Sequence, residues 1–97
     1  MAKSKQQIIN DIVSYLSGYA YKDCYVGITA NAEKRVFTDH NVTEHSGRYI
    51  WRTASSNKVA REIEKHFLDA GMDGGGGGSG TARIVYAYKK VPYRTKQ

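Results

Sequence analysis

The sequence predicts a small α+β fold, a short antiparallel or mixed sheet packed by about three helices. Three observations predict it. Apolar residues recur at helical spacing in three separate stretches. Two other stretches, Cys24–Thr29 and Ala82–Val91, alternate with the period of a strand. The length, 97 residues, supplies one core of ordinary size, so all these elements must share it.

Residues 5–17 read as the first helix. Ile8, Ile9, Ile12, Val13 and Leu16 make its apolar stripe, Ser4 is its N-cap and Gly18 its stop. In the strand Cys24–Thr29, Cys24, Val26 and Ile28 face one side, and Tyr25, Gly27 and Thr29 the other. Asn31 then caps a second helix over 31–40, with Glu33 in its first turn and Ala32, Val36, Phe37 and His40 as its stripe. A polar loop, 41–47, leads to a short extended segment, 48–53, that contains Tyr49, Ile50 and Trp51. Ser55 or Ser56 caps a third helix that runs to about Ala70 and buries Val59, Ala60, Ile63, Phe67 and Ala70. Residues 71–80 form a glycine-rich loop. The last strand puts Ile84, Tyr86 and Tyr88 on one face, and Val85, Ala87 and Lys89 on the other. Residues 92–97 are a basic tail, and 1–97 reads as a single domain.

Lys plus Arg number 15 against 9 Asp plus Glu, so the net charge of +6 favours a polyanionic partner. The excess is concentrated late, at Arg83, Lys89, Lys90, Arg94 and Lys96. No apolar run is long enough to span a membrane, and the charged N-terminus lacks the apolar centre of a signal peptide. A lone cysteine, Cys24, excludes an internal disulfide and a multi-cysteine zinc site, which makes the cytoplasm the expected compartment. A core this thin leaves room for a homodimer. Eight tyrosines against two phenylalanines suit either base stacking or the half-wet faces of a small sheet.

The glycine run, Gly74 to Gly78 with Ser79 and Gly80, is not a nucleotide loop. It lacks the Lys-Ser/Thr ending of a P-loop and feeds a strand where a helix N-terminus is needed. A flexible natural connection and an engineered linker in place of a natural loop both fit it. His40 and His45 lack the spacing and the third ligand of a zinc site, and no nucleophile elbow is present. What remains is tyrosine, arginine and glutamate. That set suits phosphodiester chemistry: arginine neutralises a phosphate, a carboxylate holds a divalent ion, and a phenol or water handles the proton.

These residues stand in a pattern. Tyr25-Val26-Gly27 ends a strand, and Arg35 follows on the next helix. The run from Tyr25 to Phe37 resembles the second half of the motif of GIY-YIG nucleases, in which such a strand leads into a helix carrying the catalytic arginine. Ala60-Arg61-Glu62-Ile63-Glu64-Lys65-His66-Phe67-Leu68 is similar to the family's metal-binding glutamate helix. The family's opening Gly-Ile-Tyr strand is missing ahead of Tyr25. The strand around Ile84-Val85-Tyr86 could occupy that place by circular permutation, with Tyr86 or Tyr88 as the motif tyrosine.

The resemblance implies a nucleic-acid-binding domain and a metal-dependent endonuclease. Tyr25 would activate or orient water, Arg35 would bind the phosphate, His40 would be an accessory acid–base group and Tyr86 the second motif tyrosine. Glu64 would hold Mg²⁺ or Mn²⁺. Lys34, Lys89, Lys90 and Arg94 would contact nucleic acid, with DNA the expected polymer and no membrane partner.

Each residue also has a plainer explanation. Tyr25 can simply cover a sheet face, Arg35 can pair with Asp39 along its helix, and His40 can be a packed histidine. Glu62 and Glu64 flank the same apolar stripe, and only the family register chooses Glu64. The rival function is a non-catalytic module binding nucleic acid or protein through Tyr49, Trp51, Tyr86, Tyr88 and the basic end.

Overall fold

A computed structural model describes residues 3–40, 42, 47–74 and 80–91. Helix α1 (Lys5–Tyr15) is followed by a single 3₁₀ turn (Tyr21–Asp23) and strand β1 (Cys24–Thr29). A π-helical segment (Lys34–Asp39), strand β2 (Tyr49–Thr53), helix α2 (Asn57–Asp69) and strand β3 (Ile84–Lys89) complete the order. The three strands form one sheet in the order β1-β3-β2, antiparallel at both contacts. The two strands expected to share a sheet therefore do, and the last strand in sequence is the central one.

The helix ends follow from local chemistry. Ser4 and Gln7 form a reciprocal capping box at α1: the Ser4 Oγ accepts from Gln7 N–H at 3.2 Å and Gln7 Oε1 accepts from Ser4 N–H at 3.0 Å. Of the two serines expected to cap the third helix, Ser56 does so, accepting from Val59 N–H. The glycine at position 74 has a steric reason. A Cβ there would lie 2.6 Å from Leu68 Cδ2 and 2.8 Å from the Val26 carbonyl oxygen. The preceding residue, Asp73, bridges to β1 through Val26 N–H and the Cys24 carbonyl, so this chain segment lines the β1 edge.

Period-two alternation divides the sheet into two faces. Cys24, Val26 and Ile28 of β1, Ile50 of β2, and Val85 and Ala87 of β3 pack with α1 and α2 around Ile8, Ile12, Leu16, Ile63 and Phe67. The opposite face carries Tyr25, Tyr86, Tyr88, Tyr49 and Trp51, covered by Val36, Phe37 and Val42. The aromatic side chains of the strands thus lie on one face of the sheet, while Tyr15, Tyr19 and Tyr21 border the helical core on the other. No helix among the described residues is long and apolar enough to cross a membrane.

The second helix departs from expectation. Its start is as read, with Asn31 Oδ1 accepting from Lys34 N–H at 3.1 Å. From Lys34 the turn widens, and Arg35 C=O accepts from His40 N–H, five residues on, at 3.0 Å. In an α-helix these two residues would point about 140° apart. The wider turn stacks them on one face, toward the tyrosines.

Candidate active site

Tyr86 occupies the centre of the aromatic face. It sits on the middle strand, opposite Gly27 of β1 and Trp51 of β2. Its ring lies across Gly27: a Cβ on residue 27 would be 2.4 Å from the phenolic oxygen and 2.5 Å from Cζ. The glycine of Tyr25-Val26-Gly27 is therefore the gap through which the ring reaches the π segment.

Two side chains from that segment meet the Tyr86 hydroxyl. Arg35 Nε–H donates to it at 3.4 Å, and His40 Nε2 lies 2.8 Å away. The other ring nitrogen of His40, Nδ1, lies 3.0 Å from the Tyr88 hydroxyl. His40 is 3% exposed, with a tyrosine hydroxyl at each ring nitrogen. Tyr25 packs on the same group, its ring centroid 4.7 Å from that of His40, 5.3 Å from Tyr88 and 6.3 Å from Tyr86. Four residues predicted separately, Tyr25, Arg35, His40 and Tyr86, thus form one contiguous cluster. The ion pair of Arg35 with Asp39, at 3.3 Å, is also present, so the guanidinium bridges the acid and the phenol.

Burial dominates the electrostatics. It pushes the Tyr86 phenol up to about 12, and the Arg35 hydrogen bond only partly offsets this. Tyr88 is raised further, by burial and then by its tyrosine neighbours. Arg35 is itself raised, chiefly by its hydrogen bond to Tyr86. Both phenols are neutral near physiological pH, and Arg35 is a fixed cation beside them.

Glu64 lies on α2 among Ala60, Ile63 and Phe67 and is buried, whereas Glu62 is exposed and pairs with Lys5 at 3.8 Å. Burial raises the Glu64 carboxyl, and the charge of Arg61 opposes the shift. Its negative charge is in turn felt at Tyr86. No hydrogen bond or ion pair among the described residues engages the Glu64 carboxylate. Nor do the described residues contain a cluster of three His, Cys, Asp or Glu. No buried side-chain oxygen among the described residues is left without a partner, so the Glu64 carboxylate reaches solvent. A single acid of this kind would suit a hard divalent ion that is otherwise held by water and substrate phosphate.

The basic residues distribute differently. Lys34, with a side chain 67% exposed, neighbours Arg35 and reaches Asp39 only at 3.9 Å. Lys89 is turned by strand alternation to the opposite face from Tyr88. There it donates to the Lys90 carbonyl at 2.7 Å and lies over the Tyr19 ring. Lys90 is paired with Asp73. Arg94, like His45 and the tail, lies outside the described residues. Of the described lysines expected to contact nucleic acid, Lys34 is the one beside the cluster. Tyr88 completes the cluster; the sequence offers it as the alternative motif tyrosine and as part of the rival binding surface, not as a partner of His40. The signal was available in the alternation, which puts both tyrosines on one face.

Compared with protein-family models, curated proteins and solved structures, the chain matches none.

Proposed function

We propose that the chain is a GIY-YIG-type endonuclease domain that cleaves nucleic-acid phosphodiesters, DNA first, with Mg²⁺ or Mn²⁺ and in the cytoplasm. The observation that carries this reading is the meeting of Arg35, His40 and the Tyr86 hydroxyl in one hydrogen-bonded group. The strand arrangement supports it further. Lys90 N–H donates to the Asp23 carbonyl at 2.8 Å, so the end of β3 meets the start of β1. Ile84-Val85-Tyr86 and Tyr25-Val26-Gly27 are then neighbours in the sense of the family hairpin, with the connection moved elsewhere.

The chemistry follows from the residues. Arg35 binds a non-bridging oxygen of the scissile phosphate and stabilises the charge that develops on it. Tyr86, neutral in the resting site, accepts a proton from the attacking water as it hands its own to His40 Nε2. The phosphorus–oxygen bond to that water forms, the bond to the leaving oxygen breaks, and solvent returns a proton to the leaving group. Tyr25 orients the water. Glu64 would hold the divalent cation, which when bound would supply positive charge toward the leaving oxygen.

A second reading is favoured by the half-buried group of Phe37, Tyr49 and Trp51 beside Tyr86, in which Tyr49 and Trp51 stack at 5.6 Å. It is a non-catalytic module that stacks bases on this face. Incubating the protein with supercoiled plasmid, with metal and with chelator, separates the two. Metal-dependent nicking supports the nuclease, and binding without nicking supports the module.

A further inference from the structure

One step along the aromatic face from Tyr86, the chain encloses a second space. Ala30, Asn31, Ala32, Glu33, Trp51 and Ile84 line an open cavity of about 240 Å³. Ile84 precedes Tyr86 by two residues on β3, a displacement of about 7 Å, and Trp51 stands opposite Tyr86 on β2. A nucleotide whose phosphate lies at Arg35 spans that step. Pockets for drug-sized ligands hold about 300–1,000 Å³, so this smaller one suits a single flat ring system. Its aromatic wall is fixed in place: Tyr49 stacks on Trp51 at 5.6 Å, and Phe37 meets it edge-on at 5.8 Å.

The polar residues of the lining say which ring system fits. Glu33 directly precedes Lys34 and Arg35, is exposed, and has no hydrogen bond or ion pair among the described residues. A carboxylate beside a phosphate track repels the polyanion unless the ligand offers it a donor. A carboxylate only accepts, through two adjacent oxygens. Guanine is the base with two adjacent donors, N1–H and N2–H, on its Watson–Crick edge, whereas thymine and uracil set a carbonyl on each side of a single N–H. Asn31 supplies the complement. Its Oδ1 accepts from Lys34 N–H at 3.1 Å, which leaves its amide hydrogens to donate to the O6 of such a base. We infer that this cavity is a guanine subsite for an unpaired nucleotide next to the phosphate at Arg35, with Trp51 stacking the base and Glu33 accepting from its N1–H and N2–H. The inference rests on the reading of this face as a nucleic-acid site, catalytic or not.

The experiment is equilibrium binding of the intact chain, in chelator, to short labelled oligothymidylates with one central guanine, hypoxanthine, adenine, cytosine or thymine. Wild type is expected to bind the guanine strand about tenfold more tightly than the thymine strand, with hypoxanthine, which lacks the N2 amine, in between. Glu33→Gln, a change at an exposed residue, is expected to reduce that preference to about twofold or less while binding to the thymine strand holds or tightens. Trp51→Ala is expected to weaken binding of the guanine strand by about tenfold, and Trp51→Leu replaces it if circular dichroism shows that Trp51→Ala is unfolded. Equal binding of all five strands, a preference for another base, or a guanine preference that survives in Glu33→Gln overturns the inference and leaves the nucleic-acid reading standing. No binding to any strand at low salt overturns that reading, and the subsite with it.

Discussion

The ring of Tyr86 crosses the backbone of Gly27 so closely that residue 27 cannot carry a side chain without moving it. This contact ties the Tyr25-Val26-Gly27 strand to the hydroxyl on which Arg35 and His40 converge. Gly27 is thus a spacing device for the site, although it contributes no functional group.

Gly27→Ala should therefore injure site and fold together. The methyl forces the Tyr86 ring aside, with an overpacking cost of about 1–3 kcal/mol. Urea denaturation should show the loss, and any cleavage should fall with it. A variant as stable and as active as wild type would mean that the sheet yields at no cost and that the contact is incidental.

The Glu64 carboxyl is raised by burial, so its effect on stability has a definite sign. The protonated form favours the fold. That contribution is complete below the ordinary value of 4.5 and is lost as pH rises through the raised folded value. At about pH 7 the ionised carboxylate weakens the fold, so Glu64→Gln should melt at the same temperature or higher, and the difference should close in acid. Thermal melts across pH check this. Mn²⁺ should raise the wild-type Tm, by an amount equivalent to about 2.7 kcal/mol at a hundred times Kd, and leave Glu64→Gln unmoved. Exposed Glu62 is the control, and Glu62→Gln should change stability by no more than about 0.5 kcal/mol. A metal response that survives in Glu64→Gln would assign the ion to other residues.

Salt dependence should sort the lysines. If the polyanion lies over Arg35, Lys34→Ala should reduce the salt slope of binding by about one ion, and Lys89→Ala should leave it unchanged. Lys90→Ala should cost stability through Asp73 and leave the slope alone. Fluorescence anisotropy on a labelled duplex at several salt concentrations measures all three. A slope that responds to Lys89 and not to Lys34 would move the nucleic acid to the opposite face.

Much of this was legible in the residues because it is written locally. Six residues of alternating pattern mark β1 with its boundaries, and the Ser55–Ser56 pair brackets the start of α2, where Ser56 is the cap. Tyr86 and Tyr88 were placed on one face by period alone. The widened turn at Lys34–Asp39 was not legible. Its stripe of Ala32, Val36, Phe37 and His40 reads as an ordinary helix, and the partners that fix His40 lie 46 and 48 residues away. The basic end misled for a similar reason: Lys90 looks free in the sequence until the segment after α2, docked along β1, brings Asp73 to it. The environment of Glu64 likewise depends on tertiary packing, which removes water from one carboxylate and leaves its neighbour Glu62 exposed.

The most direct test of the central claim is the single-turnover rate of plasmid nicking in Mn²⁺ by wild type and Tyr86→Phe. Tyr86→Phe removes one oxygen and with it the contacts to Arg35 and His40, so circular dichroism should accompany the rate to show that the fold persists. The account predicts metal-dependent nicking by wild type and a rate lower by a factor of about 10² or more in the variant, the usual worth of a positioned acid–base group. Equal rates in the two folded proteins, or no nicking by wild type with either Mg²⁺ or Mn²⁺, would contradict it.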